Sequence, residues 1–173
     1  MKFTGVIATM VVAVILQMAL ARYMIGGRWA FDLVLVGVVY AALSWGPAAG
    51  ILAGTLGGLV MDALSHTVLG AGGLVKTVVG FLAGAVGAQF VLARPAARTM
   101  VVAGATVAAR ALMFALSAVI YQHWPAFSWA DILEEVCLNT IAGLVAFQGA
   151  ESLSGGLAKG RASRRSSFSK RSW

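Results

Sequence analysis

Charged residues interrupt this chain so rarely that six apolar stretches stand out, at about 3–21, 31–45, 47–64, 70–93, 99–122 and 131–150. Phe3 to Ala21 alone offers 19 positions without a charge, close to the ~20 residues that cross a bilayer as a helix. Leu33 to Met61 is 29 uncharged residues. As one helix it would reach about 43 Å at 1.5 Å per residue, against a hydrocarbon core of about 30 Å. "SWGP" (Ser44–Pro47) divides it, because glycine ends helices and proline suits the first turn of the next. Two short helices in a tight hairpin are therefore expected.

Composition agrees with the pattern. The chain has 173 residues, 60% hydrophobic and 11% charged, where a soluble domain is about 45–50% apolar and about 25% charged. The expected fold class is an all-α integral membrane protein, a compact bundle of six short transmembrane helices over residues 1–150. Residues 151–173 should be a basic, Ser-rich, disordered cytoplasmic tail. "RASRRSSFSKRSW" holds five basic residues and no acid, too polar to bury a core. Arg161, Arg164, Arg165, Lys170 and Arg171 suit contact with anionic lipid. Without a fold or interleaved aromatics they do not suggest nucleic-acid binding.

Lys and Arg in the connections set orientation. With the N-terminus inside, nine basic residues collect on the inner side (Lys2, Arg94, Arg98 and six in the tail) and two, Arg22 and Arg28, on the outer. That asymmetry requires an even number of spans and places both termini in the cytoplasm. "ALA" at Ala19–Ala21 resembles a signal-peptide cleavage site, but the run is long and preceded by a single lysine, so the first helix is read as retained.

Glycine is spaced rather than scattered. Gly46, Gly50, Gly54 and Gly58 recur every four residues, with Asp62 the next step; Gly72, Lys76, Gly80 and Gly84 repeat the pattern in the fourth stretch. Small residues four apart let membrane helices approach closely. The third and fourth helices should pack on each other, or each on another helix.

Ionisable groups at membrane depth are costly and usually face the bundle interior. For Asp62 and Lys76 the simplest reading is an ion pair or a snorkelling side chain that fixes this hairpin; a ligand site and a partner-helix contact are the alternatives. Arg110 lies midway along the fifth stretch, with Glu134 and Glu135 as candidate partners. Asp32 suits a helix N-terminus. Cys137, the single cysteine, sits among apolar neighbours and reads as a buried, inert thiol. His66 and His123 have no ligand spacing, so no metal or cofactor is expected, and the aromatics of "HWPAFSW" (His123–Trp129) suit a membrane interface. No hydrolase, protease or phosphate-binding motif occurs, so a catalytic residue is not expected and the protein reads as a non-enzyme.

"FDLVLVGVVYAALSWGPAAGILAGTLGGLVMDALS" (Phe31–Ser65) followed by "LGAGGLVKTVVGFLAGAVG" (Leu69–Gly87) resembles the bacterial rod shape-determining MreD family. The shared features are Asp32-Leu33 opening the second span, a Gly-rich third span ending in Asp62 and Ser65, and Leu69-Gly70 leading into a fourth span with Gly80 and Gly84. Where that family often has Gly-Gly-Pro before Leu-Gly, this chain has His66-Thr67-Val68. The resemblance implies a non-enzymatic scaffold of the cell-elongation complex in the cytoplasmic membrane. Its most direct partner would be MreC, with the penicillin-binding transpeptidase, RodA and MreB in the wider assembly. It also implies a fold similar to the substrate-binding subunits of energy-coupling-factor transporters, whose vitamin binding supplies the alternative function.

Overall fold

The computed structural model describes residues 2–20, 31–65, 70–90, 95–122 and 128–169. Among the described residues six helices follow one another: α1 Lys2–Leu20, α2 Leu33–Trp45, α3 Pro47–Leu64, α4 Ala71–Gln89, α5 Pro95–Tyr121 and α6 Trp129–Ser169. There is no strand among the described residues. Among the described residues four helices (α1, α3, α4 and α5) are long and apolar enough to cross a membrane. The 13 residues of α2 extend only about 20 Å.

The break between α2 and α3 falls where "SWGP" places it. Gly46 has φ +96° and Pro47 is the first residue of α3. The Gly46 N–H donates to the Ala42 carbonyl, so one residue closes α2 and opens α3. A left-handed φ here is open to glycine at little steric cost.

The short α2 is the centre of the bundle, touching α1, α3, α4, α5 and α6. Val34, Leu35, Val38 and Val39 are buried almost completely. Leu35 and Val39 meet Val75 and Val79 of α4, Val102 of α5 and Phe147 of α6, while Val38 and Ala41 meet Val6 and Met10 of α1 and Ala49 and Ala53 of α3. The outside is the reverse of a soluble protein. Val11, Ile15, Met100, Val119, Ile141 and Val145 lie exposed, Val119 at 75%, and such surface is stable only against an apolar surrounding.

α3 and α4 form the closest pair. A Cβ added to Gly50 would fall under 3.0 Å from the Gly80 carbonyl, and one on Gly80 would meet the Gly50 carbonyl equally closely. Gly54 lies against the backbone of Lys76 and Thr77, Gly58 against Gly73, and Gly84 against Pro47. The two glycine series thus face each other at the same step, backbone on backbone. Thr55 and Thr77 join their hydroxyls across the seam at 2.8 Å.

Two expectations change. The backbone of α6 continues as helix to Ser169, beyond the boundary at 150 and into the segment expected to be disordered. Its Ala, Leu, Lys and Arg residues favour helix, with Gly155, Gly156 and Gly160 the weak points. Cys137 is exposed on α6 rather than buried: apolar neighbours in sequence mark a helix surface facing lipid as readily as one facing protein. The connection at 66–69, the aromatics at 123–127, and Arg22, Arg28, Arg94, Lys170 and Arg171 lie outside the described residues, as do the side chains of Arg161, Arg164 and Arg165.

Candidate functional site

Buried polar groups gather at one end of the bundle, and most of them serve helix N-termini. The first amides of α2 have no partner within the helix, and two other helices as well as Asp32 supply them. The Asp32 carboxylate accepts from the Leu35 N–H at 2.9 Å, and Asn139 of α6 accepts from the Asp32 N–H at 2.8 Å. Gln17 of α1 grips the same turn twice, accepting from the Leu33 N–H at 2.7 Å and donating to the Phe31 carbonyl at 3.1 Å. Asn139 then donates to the Thr106 hydroxyl of α5 at 3.3 Å. Gln17, Thr106 and Asn139 are each no more than 1% exposed, so each bond is made away from competing solvent.

Asp62 serves α4 in the same way. Its Oδ2 accepts from the N–H groups of Gly70 and Gly73, at 2.9 and 3.1 Å. Gly70 takes the left-handed conformation with φ +95°, and a Cβ on Gly72 would collide with Asp62 Oδ1. The carboxylate at the end of α3 therefore clamps the start of α4, where the dipole favours negative charge.

The expected pairing of Asp62 with Lys76 is corrected here. Lys76 Nζ lies 2.7 Å from Asp32 Oδ2, tying α4 to α2. Asp62, near the end of α3, commits Oδ2 to the first amides of α4; Lys76, more than a turn into that helix, reaches the N-terminus of the centrally placed α2. Of the two acids offered to Arg110, Glu135 takes it, through the guanidinium Nε. Glu135 is buried and turned towards α5, whereas Glu134 is exposed.

Both ion pairs border a cavity of about 250 Å³, whose wall includes Gln17, Asp32, Ser65, Lys76, Arg110 and Glu135. Its four charges balance. The arrangement can hold polar groups or water and fix helices, and its wall draws on α1, α3, α4, α5 and α6 together with Asp32 at the N-terminus of α2. Among the described residues no three His, Cys, Asp or Glu side chains gather as metal ligands.

Gln17, Thr106 and Asn139 are not among the residues that charge and glycine spacing single out. Gln17 and Asn139 were nevertheless visible as amides inside otherwise apolar stretches, where a polar side chain needs a partner. The glycines named from sequence do meet across one seam. Comparison with protein-family models, with curated proteins and with solved structures finds no match.

Proposed function

We propose that this chain is a non-enzymatic, multi-pass scaffold of a bacterial cytoplasmic membrane, of the rod shape-determining MreD kind. In this reading α1 to α6 all span, both termini are cytoplasmic, and the exposed apolar flanks receive other subunits. MreC is the direct partner, and through it the bundle supports peptidoglycan synthesis by the penicillin-binding transpeptidase and RodA alongside MreB.

The observation that supports this most is the use made of the charges. Asp32, Asp62, Lys76, Arg110 and Glu135 each bind a group of a neighbouring helix or its first turn. The positions that carry the resemblance, Asp32 and Asp62, are spent as helix clamps. Their chemistry is structural.

The cavity beside the two ion pairs supports a second reading, a small-molecule-binding subunit of the energy-coupling-factor type, since ligand sites are concave with a few convergent polar groups. Purification in mild detergent followed by mass spectrometry separates the two. Scaffold function predicts stoichiometric recovery of a single-span periplasmic protein and no retained vitamin. A bound vitamin without such a partner would favour the alternative, and recovery of neither would contradict both.

A further inference from the structure

The central helix is shorter than the helices around it, and the difference leaves a space beyond its N-terminus. α2 has 13 residues and α3 has 18, and both run from the Gly46 break. Val34, in the first turn of α2, lies against Gly57 of α3. From that level α3 continues seven residues to Leu64, about 10 Å. On the far side Asn139 meets the Asp32 N–H ten residues into α6, so α6 overshoots α2 by about 15 Å.

The cavity between the two ion pairs occupies this space. Its wall takes Met61 and Ser65 from the overshoot of α3, Gly72 and Lys76 from the first two turns of α4, and Glu135 from the second turn of α6. These positions share one end of the bundle, the end where α3 gives way to α4. Towards the other end the packing closes. Leu35, Val38 and Val39 of α2 are at most 1% exposed, as is Val79, one turn beyond Val75 on α4. Leu35, Val39 and Val79 meet Val102 and Phe147 there.

Asp32, Lys76, Arg110 and Glu135 all border the cavity. Ionised groups at membrane depth pair with one another or line water, and here pairing does not use them up. An ammonium carries three donors and a guanidinium five. Among the described residues Lys76 meets Asp32, and Arg110 meets Glu135 through Nε while its side chain stays 42% exposed. Hydrocarbon offers the other N–H groups no acceptor, which makes an acyl chain a poor occupant. A water needs only about 10–15 Å³ of accessible volume beside polar groups, and this space offers about 250 Å³.

We propose that the cavity is a one-sided aqueous inlet. Water, and polar solutes small enough to follow it, reach Lys76, Arg110 and Glu135 from the α3–α4 end of the bundle and stop above Leu35 and Val79. The inlet requires only that the bundle span a membrane; the orientation proposed above makes its open side the periplasmic one.

Cysteine accessibility in the full chain tests this, in a Cys137→Ser background. Ala109→Cys and Met113→Cys place thiols on the cavity wall. Leu112→Cys sits beside Met113 on the exposed apolar side of α5, and Val79→Cys lies in the closed packing. All four substitutions are small enough to keep the fold. A membrane-impermeant trimethylammonium methanethiosulfonate is added to spheroplasts and, separately, to inside-out vesicles, and labelling is read from the intact mass. The thiolate is the reactive species and apolar burial suppresses it, so in spheroplasts the two wall cysteines should react at least about tenfold faster than Leu112→Cys and Val79→Cys. In inside-out vesicles all four should be inert. Labelling of the wall from the cytoplasmic face alone would uphold the inlet and overturn the orientation. Wall cysteines no faster than Leu112→Cys would show a dry cavity, and equal labelling from both faces, or rapid labelling of Val79→Cys, would show an open path; each would overturn the proposal.

Discussion

Lys76 Nζ meets Asp32 Oδ2 at 2.7 Å, and the two side chains are only 14% and 23% exposed. Asp32 simultaneously caps α2, so a single carboxylate closes the N-terminus of the central helix and anchors α4 to it. Removing one member of a buried ion pair costs about 3–5 kcal/mol because the other charge is stranded; the residual exposure here places Lys76→Met near the lower figure. Thermal unfolding in detergent should show the loss, and Lys76→Arg should recover part of it. An unchanged transition in Lys76→Met would mean the pair carries no stability.

The α3–α4 seam predicts an unusual ordering of small substitutions. Gly54→Ala places a methyl against the Lys76 carbonyl, whereas Gly104→Ala on α5 meets nothing within 4 Å. Overpacking costs about 1–3 kcal/mol, while alanine is the better helix former by about 1 kcal/mol. Gly54→Ala should therefore destabilise and Gly104→Ala should be neutral or stabilising. With leucine at 54 or 58 membrane levels should fall sharply; Gly160→Leu should leave them unchanged. Immunoblots of membrane fractions read the series directly.

Asp62→Ala withdraws the acceptor from two backbone amides at the start of α4. A buried donor left without a partner costs about 1–3 kcal/mol. Asp62→Asn keeps one acceptor oxygen, enough for both amides, and loses the charge and the second acceptor, so it should be the milder change. Hydrogen exchange at Gly70 and Gly73 measures the difference: faster in the alanine variant, close to native in the asparagine one.

Deletion of Arg161–Trp173 should leave membrane insertion intact and stability within the about ±0.5 kcal/mol typical of surface changes. The segment is too polar to contribute to an apolar core. Membrane fractionation with a thermal scan of the truncated chain tests this, and failure to insert would contradict it.

Much of the fold was legible because membrane helices announce themselves locally. Uncharged runs set the helix positions to within a few residues except at the end of α6, "SWGP" placed the α2–α3 break, and glycine at every fourth residue marked α3 and α4 for close helix contact without saying which helix each would meet. What escaped depends on residues distant in the chain. Nothing near Lys76 indicates that its carboxylate comes from Asp32, 44 positions earlier, rather than from Asp62 at the other end of its own hairpin. That choice follows from α2 lying at the centre of the bundle, a tertiary fact. The pairing of Arg110 was narrowed to two adjacent acids, and the rotation of α6 about its axis decides between them. Gln17 and Asn139 show that amides within apolar runs repay the same scrutiny as charges.

Backbone-to-backbone contact between α3 and α4 underlies the whole bundle, and disulfide trapping across that seam tests it most directly. Thr55 and Thr77, whose hydroxyls lie 2.8 Å apart, are replaced by cysteines in a Cys137→Ser background, and native membranes are oxidised with copper phenanthroline. Near-complete intramolecular crosslinking, reversed by reductant, is the result predicted. Free thiols at both positions after oxidation would contradict the seam and the account built on it.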